Sequence, residues 1–229
     1  MIVRIICVLI GYAFGLFQTS YILGKRQGID IRSVGSGNAG TTNALRILGM
    51  KAGTITAACD VGKCILAVII TWAIFHNTYA EIVPLLKIWT AAGVVLGHIF
   101  PFYMNFRGGK GIAVMGGMII AFGDIRLIII GIIVFFGMLF LTNYASVASL
   151  SLITSFSIEV AIGNILGAYG MAPARRVELL VVVLCLTALA WYQHRENVLR
   201  LLQGNERRTD LLKKLGLKKE TKSSFRHGE

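Results

Sequence analysis

Charged side chains are scarce in this sequence of 229 residues. They make up 15% of it, whereas hydrophobic residues make up 55%. An ordinary globular domain has about 25% charged residues, so the scarcity excludes a soluble domain and indicates a membrane protein. Acidic residues are the rarer charged class, with 11 Asp and Glu against 23 Lys and Arg, which gives a net charge of +12.

Cysteine motifs and a leader-cleavage signal are also missing. The four cysteines lie in apolar runs without a C-x-x-C spacing (Cys7, Cys59, Cys64 and Cys185). We interpret them as small buried hydrophobic residues, and we expect no metal site and no cofactor. No A-x-A-like site follows the first apolar run, so we interpret that run as a membrane span and not as a signal peptide.

Long apolar runs are what the sequence has instead. A bilayer core of about 30 Å is crossed by a helix of about 20 residues. Seven runs of that order predict an all-α integral membrane protein, a polytopic bundle of about seven transmembrane helices: 5–23, 52–75, 85–102, 112–122, 127–141, 144–168 and 177–193. The runs 112–122 and 127–141 are short, so five or six spans remain an alternative.

The basic residues are distributed unevenly between the two sides of this predicted bundle. If the first span runs inward, 17 Lys and Arg lie in inner loops and the C-terminal tail, and five lie outside. The positive-inside rule then places the N-terminus outside and the C-terminus in the cytoplasm. This distribution favours a membrane partner over nucleic acid. We expect a membrane domain at residues 1–203 and a basic cytoplasmic tail at 204–229, attracted to anionic lipid.

The first inner loop contains the sequence G-S-G-N-A-G-T-T-N-A-L-R at positions 35–46. Glycines let successive backbone N–H groups face one anion, and a following helix N-terminus adds positive charge, which suits a phosphate. A dinucleotide site needs a preceding strand and an acidic residue about 20 positions later within a βαβ unit, but here a membrane helix precedes the loop and Asp60 lies inside another predicted span. A purely structural turn is the alternative. The candidate substrate-binding or catalytic residues are Gly35, Ser36, Gly37, Asn38, Gly40, Thr42, Asn43 and Arg46.

The second inner loop carries the sequence F-R-G-G-K-G, with candidate residues Arg107, Gly108, Gly109 and Lys110. No Ser or Thr follows the lysine, so the pattern does not predict an ATPase. The glycines permit a ligand to approach the backbone closely, beside a point positive charge. Nearby His98 suits either interfacial packing or catalysis.

The third inner segment follows the last span, with His194 as a candidate catalytic residue, Asn197 and Arg200 as candidates for substrate binding, and Glu206 as a structural polar residue. His194 and Asn197 share a helix face because they are three residues apart, and a histidine can act as a base or a charged donor near neutral pH. An amphipathic membrane exit is the alternative interpretation. Inside the second span, Asp60 and Lys63 are about one turn apart and are expected to pair with each other or with loop residues.

These three ordered motifs, with D-V-G-K in the second span, resemble the bacterial acyl-phosphate:glycerol-3-phosphate acyltransferases over nearly the whole chain. Arg107 departs from the lysine of many relatives. The resemblance implies a seven-helix bundle in the bacterial cytoplasmic (inner) membrane. It also implies transfer of an acyl group from acyl phosphate to the 1-hydroxyl of sn-glycerol 3-phosphate, which gives lysophosphatidic acid and inorganic phosphate. The enzyme that forms the acyl phosphate is a candidate partner.

The resemblance leads to a hypothesis for each part of the site. The backbone of residues 35–40 and Ser36 would hold the acyl phosphate, and Lys110 and Arg46 would stabilise phosphate or oxyanion charge. Asn43, His194 and Asn197 would orient glycerol 3-phosphate, with His194 or a substrate phosphate as base. The H-x-x-x-x-D pattern of thioester-using acyltransferases is absent, so thioester donors are expected to be poor. A transporter of a phosphorylated metabolite is the alternative function.

Overall fold

The computed structural model describes residues 1–209 and contains α-helices and two short 3₁₀ turns, with no strand in that part of the chain. The all-α fold is therefore confirmed. The helices are α1 Ile2–Gly15, α2 Thr19–Arg26, α3 Thr41–Ile47, α4 Gly49–Phe75, α5 Val83–Ile99, α6 Ile112–Phe122, α7 Ile125–Thr142, α8 Ala145–Ile165, α9 Pro173–Gln193 and α10 Arg195–Leu202. The prediction for the tail falls mostly on residues 210–229, outside the described residues.

Five helical segments of residues 1–209 are long and apolar enough to cross a bilayer. They are Ile2–Arg26, Gly49–Phe75, Ala80–Met104, Ile125–Thr142 and Ala145–Ile165. Helix α6 has 11 residues and extends about 16 Å at 1.5 Å per residue, so it is too short to span unaided. Helix α9 has 21 residues but begins with the charged residues Arg175, Arg176 and Glu178. The membrane-protein class is confirmed, and the count of seven spans stays a prediction.

The first predicted span, 5–23, is not one helix but two, α1 and α2, separated by residues 16–18. Two side chains bind the backbone at this break: Lys63 from α4, and Tyr103, which follows the end of α5. The Tyr103 hydroxyl donates to the Leu16 carbonyl (2.5 Å), and Lys63 Nζ donates to the Phe17 carbonyl (2.7 Å). Because a bilayer offers no water to exposed backbone groups, a break in a span needs such partners.

Helices α1 and α5 pack backbone against backbone through two pairs of glycines. A Cβ added at Gly11 would lie 2.0 Å from the Thr90 carbonyl oxygen, and one added at Gly97 would lie 2.3 Å from the Tyr12 carbonyl oxygen. Gly15 and Gly93 complete the spacing of four residues on each helix. Small residues at this spacing allow close helix packing in membranes, and here they bring the end of α5 beside the break in the first span.

Candidate active site

The glycine loop between α2 and α3 is organised by Asn43, which is 1% exposed. Its Oδ1 accepts a hydrogen bond from the Ser36 backbone N–H (2.9 Å), and its Nδ2 donates to the carbonyls of Ile31 and Val34 (both 3.0 Å). The amide of Asn43 is therefore already engaged inside the loop. This geometry favours a role for Asn43 in shaping the loop, whereas the Ser36 side chain is exposed.

The turn at Gly108 and Gly109 joins the first and second motifs. The Gly108 N–H donates to the Ile99 carbonyl (3.0 Å), the Gly109 N–H donates to the His98 carbonyl (3.1 Å), and the Gly108 carbonyl accepts from the Ala39 N–H (3.4 Å). A Cβ at Gly108 would lie 2.0 Å from the His98 carbonyl oxygen. Both glycines are thus required for the turn to dock on the end of α5.

A hydrogen-bonded network joins the second motif to the third. Lys110 Nζ donates to Asn197 Oδ1. Asn197 Nδ2 donates to Glu206 Oε1 (2.6 Å), which also accepts from Ser146 Oγ (3.0 Å), and Arg200 Nε donates to Glu206 Oε2 (2.8 Å). Together with the Ala39 contact, this network brings all three motifs to one end of the bundle.

Glu206 is the buried carboxylate at the centre of the network, and its side chain is 4% exposed. Burial opposes its ionisation, but hydrogen bonds from Asn197, Arg200 and Ser146 outweigh burial and lower the pKa of Glu206 below its usual value. A carboxylate that accepts several hydrogen bonds is stabilised in its charged form. Ser146, at the start of α8, was missed by the sequence analysis because a lone serine 60 residues away in the chain gives no pattern.

Positive charge exceeds negative charge around Glu206. Burial, followed by the charge of Arg200, lowers the pKa of Lys110 to about 8. Burial, followed by the charge of Arg207, lowers the pKa of Arg46 of the first motif, and the charge of Glu206 acts in the opposite direction. Basic side chains of all three motifs therefore act on one another here (Arg46, Lys110, Arg195, Arg200 and Arg207), and they outnumber the carboxylates Glu206 and Glu196. Such an excess suits an anion with more than one charge, such as a phosphate.

His194 lies between α9 and α10 and is 4% exposed. Its Nδ1 is 2.8 Å from the Ala190 carbonyl oxygen. Because a carbonyl only accepts, Nδ1 carries the proton, and Nε2 is left as an acceptor. Burial, with the charge of Lys110, lowers the pKa of His194 to about 4. The imidazole is thus neutral at physiological pH and can accept a hydrogen bond from a hydroxyl.

The charges inside the second span are paired, as the sequence analysis expected. Lys63 Nζ is 2.8 Å from Asp60 Oδ1, and it is also 2.8 Å from Nδ1 of His98. All three residues are buried. This buried ion-pair cluster, defined as Asp60, Lys63 and His98, lies directly behind the Gly108–Gly109 turn.

Comparison with known proteins assigns the chain to a protein family. The family profile described as glycerol-3-phosphate acyltransferase matches residues 5–204. The chain belongs to the glycerol-3-phosphate acyltransferase family. It is 39% identical over 223 residues to the glycerol-3-phosphate acyltransferase of Clostridioides difficile (94% of this chain, 97% of the relative), and 35% identical over 203 residues to that of Bacillus velezensis (87% and 94%).

This member of the family is also similar to solved structures of PlsY (YgiH), an integral membrane glycerol 3-phosphate acyltransferase. The TM-score is 0.78 to its glycerol 3-phosphate form, at 30% sequence identity, with 93% of this chain and 98% of that chain covered. Against its lysophosphatidic acid form the TM-score is 0.74, at 29% identity, with coverage of 90% and 94%. The fold of an integral membrane acyltransferase is therefore shown.

The other predicted site residues of this acyltransferase differ in exposure. Thr42, Arg46 and Arg107 are exposed, as are Gly35 and Gly37 of the loop. Asn38, Gly40 and Lys110 are half-buried. Exposure leaves the loop glycines and the two arginines accessible to a ligand. Asn197, by contrast, uses both ends of its amide within the network.

Proposed function

We propose that this acyltransferase moves an acyl group from acyl phosphate to the 1-hydroxyl of sn-glycerol 3-phosphate, at the cytoplasmic face of the bacterial inner membrane. The products are lysophosphatidic acid and inorganic phosphate. The observation that carries the proposal is the excess of basic side chains over the carboxylates Glu206 and Glu196 where the three motifs meet; these basic residues are Arg46, Lys110, Arg195, Arg200 and Arg207. Glycerol 3-phosphate is a phosphate ester and acyl phosphate is a mixed anhydride, so both substrates carry the negative charge that such a site attracts. The apolar acyl chain suits a site within a membrane bundle.

In this proposal the cations act on charge that develops during the reaction. The hydroxyl oxygen attacks the acyl carbonyl carbon, and the bond from that carbon to the phosphate oxygen breaks. Lys110 stabilises the oxyanion or the departing phosphate, while Arg46 binds phosphate next to the glycine loop. Preorganised charge of this kind is commonly the largest catalytic contribution in a site that excludes water. Ser36 and the backbone of residues 35–40 contact the acyl phosphate.

The proton of the attacking hydroxyl passes to a phosphate oxygen. Phosphate is a good leaving group and a base of suitable strength, so no protein base is required. A histidine with a pKa of about 4 is a weak base near pH 7. His194 Nε2 therefore accepts a hydrogen bond from glycerol 3-phosphate and orients it, and Asn197 supports the same region through Lys110.

Replacing His194 with glutamine tests this assignment. We expect KM for glycerol 3-phosphate to rise about tenfold with kcat little changed, because the glutamine amide keeps an acceptor at the place of Nε2 but loses the contact of Nδ1 with the Ala190 carbonyl that orients it. Steady-state kinetics with both substrates varied provides the measurement. His76→Gln is the matched control, since His76 contacts carbonyls of its own helix end. A large loss of kcat without a change in KM would instead assign His194 as the base.

The expected pH dependence of kcat/KM follows from the ionisation of the Lys110 amine. Its pKa is lowered to about 8, so the charged form predominates below that pH and is lost as the pH rises through it. We expect kcat/KM to fall above about pH 8, whereas phosphate groups complete their ionisation near pH 6. In Lys110→Arg the side chain stays charged, so the alkaline fall should move above pH 10. If kcat/KM of Lys110→Arg still fell above about pH 8, the assignment to Lys110 would be contradicted.

The donor is tested directly with purified protein in lipid. Glycerol 3-phosphate is supplied with palmitoyl phosphate, palmitoyl-CoA or palmitoyl-acyl carrier protein, and lysophosphatidic acid is measured. We expect product with palmitoyl phosphate alone. Comparable turnover with either thioester would overturn the proposed donor while leaving the family's acyltransferase activity in place.

A further inference from the structure

Lys63 contacts a carboxylate, a backbone carbonyl and an imidazole inside the bundle. Its Nζ lies 2.8 Å from Asp60 Oδ1, 2.7 Å from the Phe17 carbonyl oxygen and 2.8 Å from His98 Nδ1. The contact with Asp60 is an ion pair without hydrogen-bond geometry, since Asp60 Oδ1 has no hydrogen-bond partner among residues 1–209, whereas the Phe17 carbonyl and His98 are hydrogen-bonded to Nζ. An ammonium group donates hydrogen bonds and cannot accept one. His98 Nδ1 must therefore accept, and the imidazole proton resides on Nε2.

The other side of His98 faces the Gly108–Gly109 turn. A Cβ at Gly109 would lie 2.1 Å from His98 Nε2, so the ring edge packs directly against the Cα of Gly109. The His98 carbonyl accepts from the Gly109 N–H (3.1 Å) and from Gln18 Nε2 (2.9 Å). His98 thus contacts Gly109 through both its ring and its backbone, and Lys110 is the next residue.

We propose that His98 is a positioning residue: Lys63 fixes the orientation and tautomer of its imidazole, and the imidazole holds the Gly109 backbone so that Lys110 reaches the site. This proposal rests on the proposed function of Lys110. It gives the buried ion-pair cluster a role beyond neutralising charge in the membrane. A displacement of about 1 Å in a catalytic group can cost roughly 10²-fold in rate, so support for this turn affects turnover.

Two amide substitutions separate this role from a purely structural one. In His98→Gln the side-chain amide reaches the place of Nε2, beside Gly109. In His98→Asn it reaches only the place of Nδ1, beside Lys63. We expect His98→Gln to keep most of the turnover at saturating substrates and His98→Asn to lose about 10²-fold in kcat, with KM for glycerol 3-phosphate unchanged. If His98 served only to satisfy Lys63, His98→Asn would be the more active variant, and that order would overturn the proposal.

The role of Lys63 is tested without leaving one buried charge alone, which would itself be destabilising. The double variant Asp60→Asn, Lys63→Met removes both charges together. We expect its kcat to fall only as far as that of His98→Gln, which likewise loses the contact with Lys63, and the addition of His98→Gln should then have little further effect. Independent, multiplicative losses would contradict coupling of Lys63 to the turn through His98. His76→Gln and His76→Asn serve as controls with turnover like that of the unsubstituted protein.

The tautomer provides a measurement that does not depend on activity. In the full chain labelled with ¹⁵N-histidine, nuclear magnetic resonance should show His98 protonated at Nε2 and His194 protonated at Nδ1, with assignments from the single variants. A His98 proton on Nδ1 would overturn the proposal. If palmitoyl phosphate supports no turnover, the proposed function fails, and the His98 proposal is then decided by its tautomer in the unsubstituted protein and in the double variant.

Discussion

Replacing Lys110 with alanine is expected to lower kcat by about 10²–10³-fold, the usual cost of removing one group that stabilises charge in a transition state. The reason is geometric as well as electrostatic. Lys110 donates to Asn197 and lies beside Arg200 and Glu206 at the place where the three motifs meet. Because its amine acts on developing charge, the effect should appear mainly in kcat with palmitoyl phosphate and glycerol 3-phosphate both saturating.

Lys51→Ala is the matched control for this prediction. Lys51 lies in the first turn of α4 and is exposed, so its removal lowers the positive charge of the same predicted membrane face without touching the network. We expect its turnover to match that of the unsubstituted protein. If Lys110→Ala and Lys51→Ala both retained full activity, the catalytic role of Lys110 would be wrong.

Replacing Glu206 with alanine is expected to lower both stability and turnover. Ser146, Asn197 and Arg200 would lose a shared acceptor, and the surrounding cations would repel one another without a carboxylate between them. Because the partner Arg200 is 29% exposed, we expect a loss in the free energy of unfolding below the ~3–5 kcal/mol that removing one partner of a fully buried ion pair costs. Glu206→Gln keeps an acceptor of the same shape, so we expect it to be less destabilised and partly active.

Thermal unfolding in detergent, followed by turnover at a temperature where all variants are folded, measures both effects. Glu196→Ala is the control, because the Glu196 side chain is 71% exposed and lies 3.9 Å from Arg200. An exposed pair of this kind contributes at most about 1 kcal/mol. If Glu206→Ala were as stable and as active as Glu196→Ala, the buried network would not be what assembles the site.

The sequence was sufficient to predict the membrane class, the all-α fold and the three polar motifs. Apolar runs and the distribution of basic residues are local signals, and they do not depend on which helices pack together. The pairing of Asp60 with Lys63 was also predictable, because an unpaired charge inside a span is costly.

Other features depend on contacts between distant segments, which no local pattern encodes. The first span was expected to be continuous, but Lys63 and Tyr103 bind its backbone and allow a break after α1. Asn43 was expected to orient a substrate, yet its amide is engaged by the loop itself. The link between Ser146 and Glu206 joins residues 60 positions apart and could be found only from the fold.

The most direct test of the proposed reaction is to measure both products from one reaction mixture. Purified protein in lipid is given glycerol 3-phosphate and palmitoyl phosphate, and lysophosphatidic acid and inorganic phosphate are quantified over time. The proposed transfer predicts equal amounts of the two products, with both lost in Lys110→Ala. Phosphate release without lysophosphatidic acid, or no product from protein shown to be folded, would contradict it, and uptake of glycerol 3-phosphate into liposomes would then test the transporter alternative.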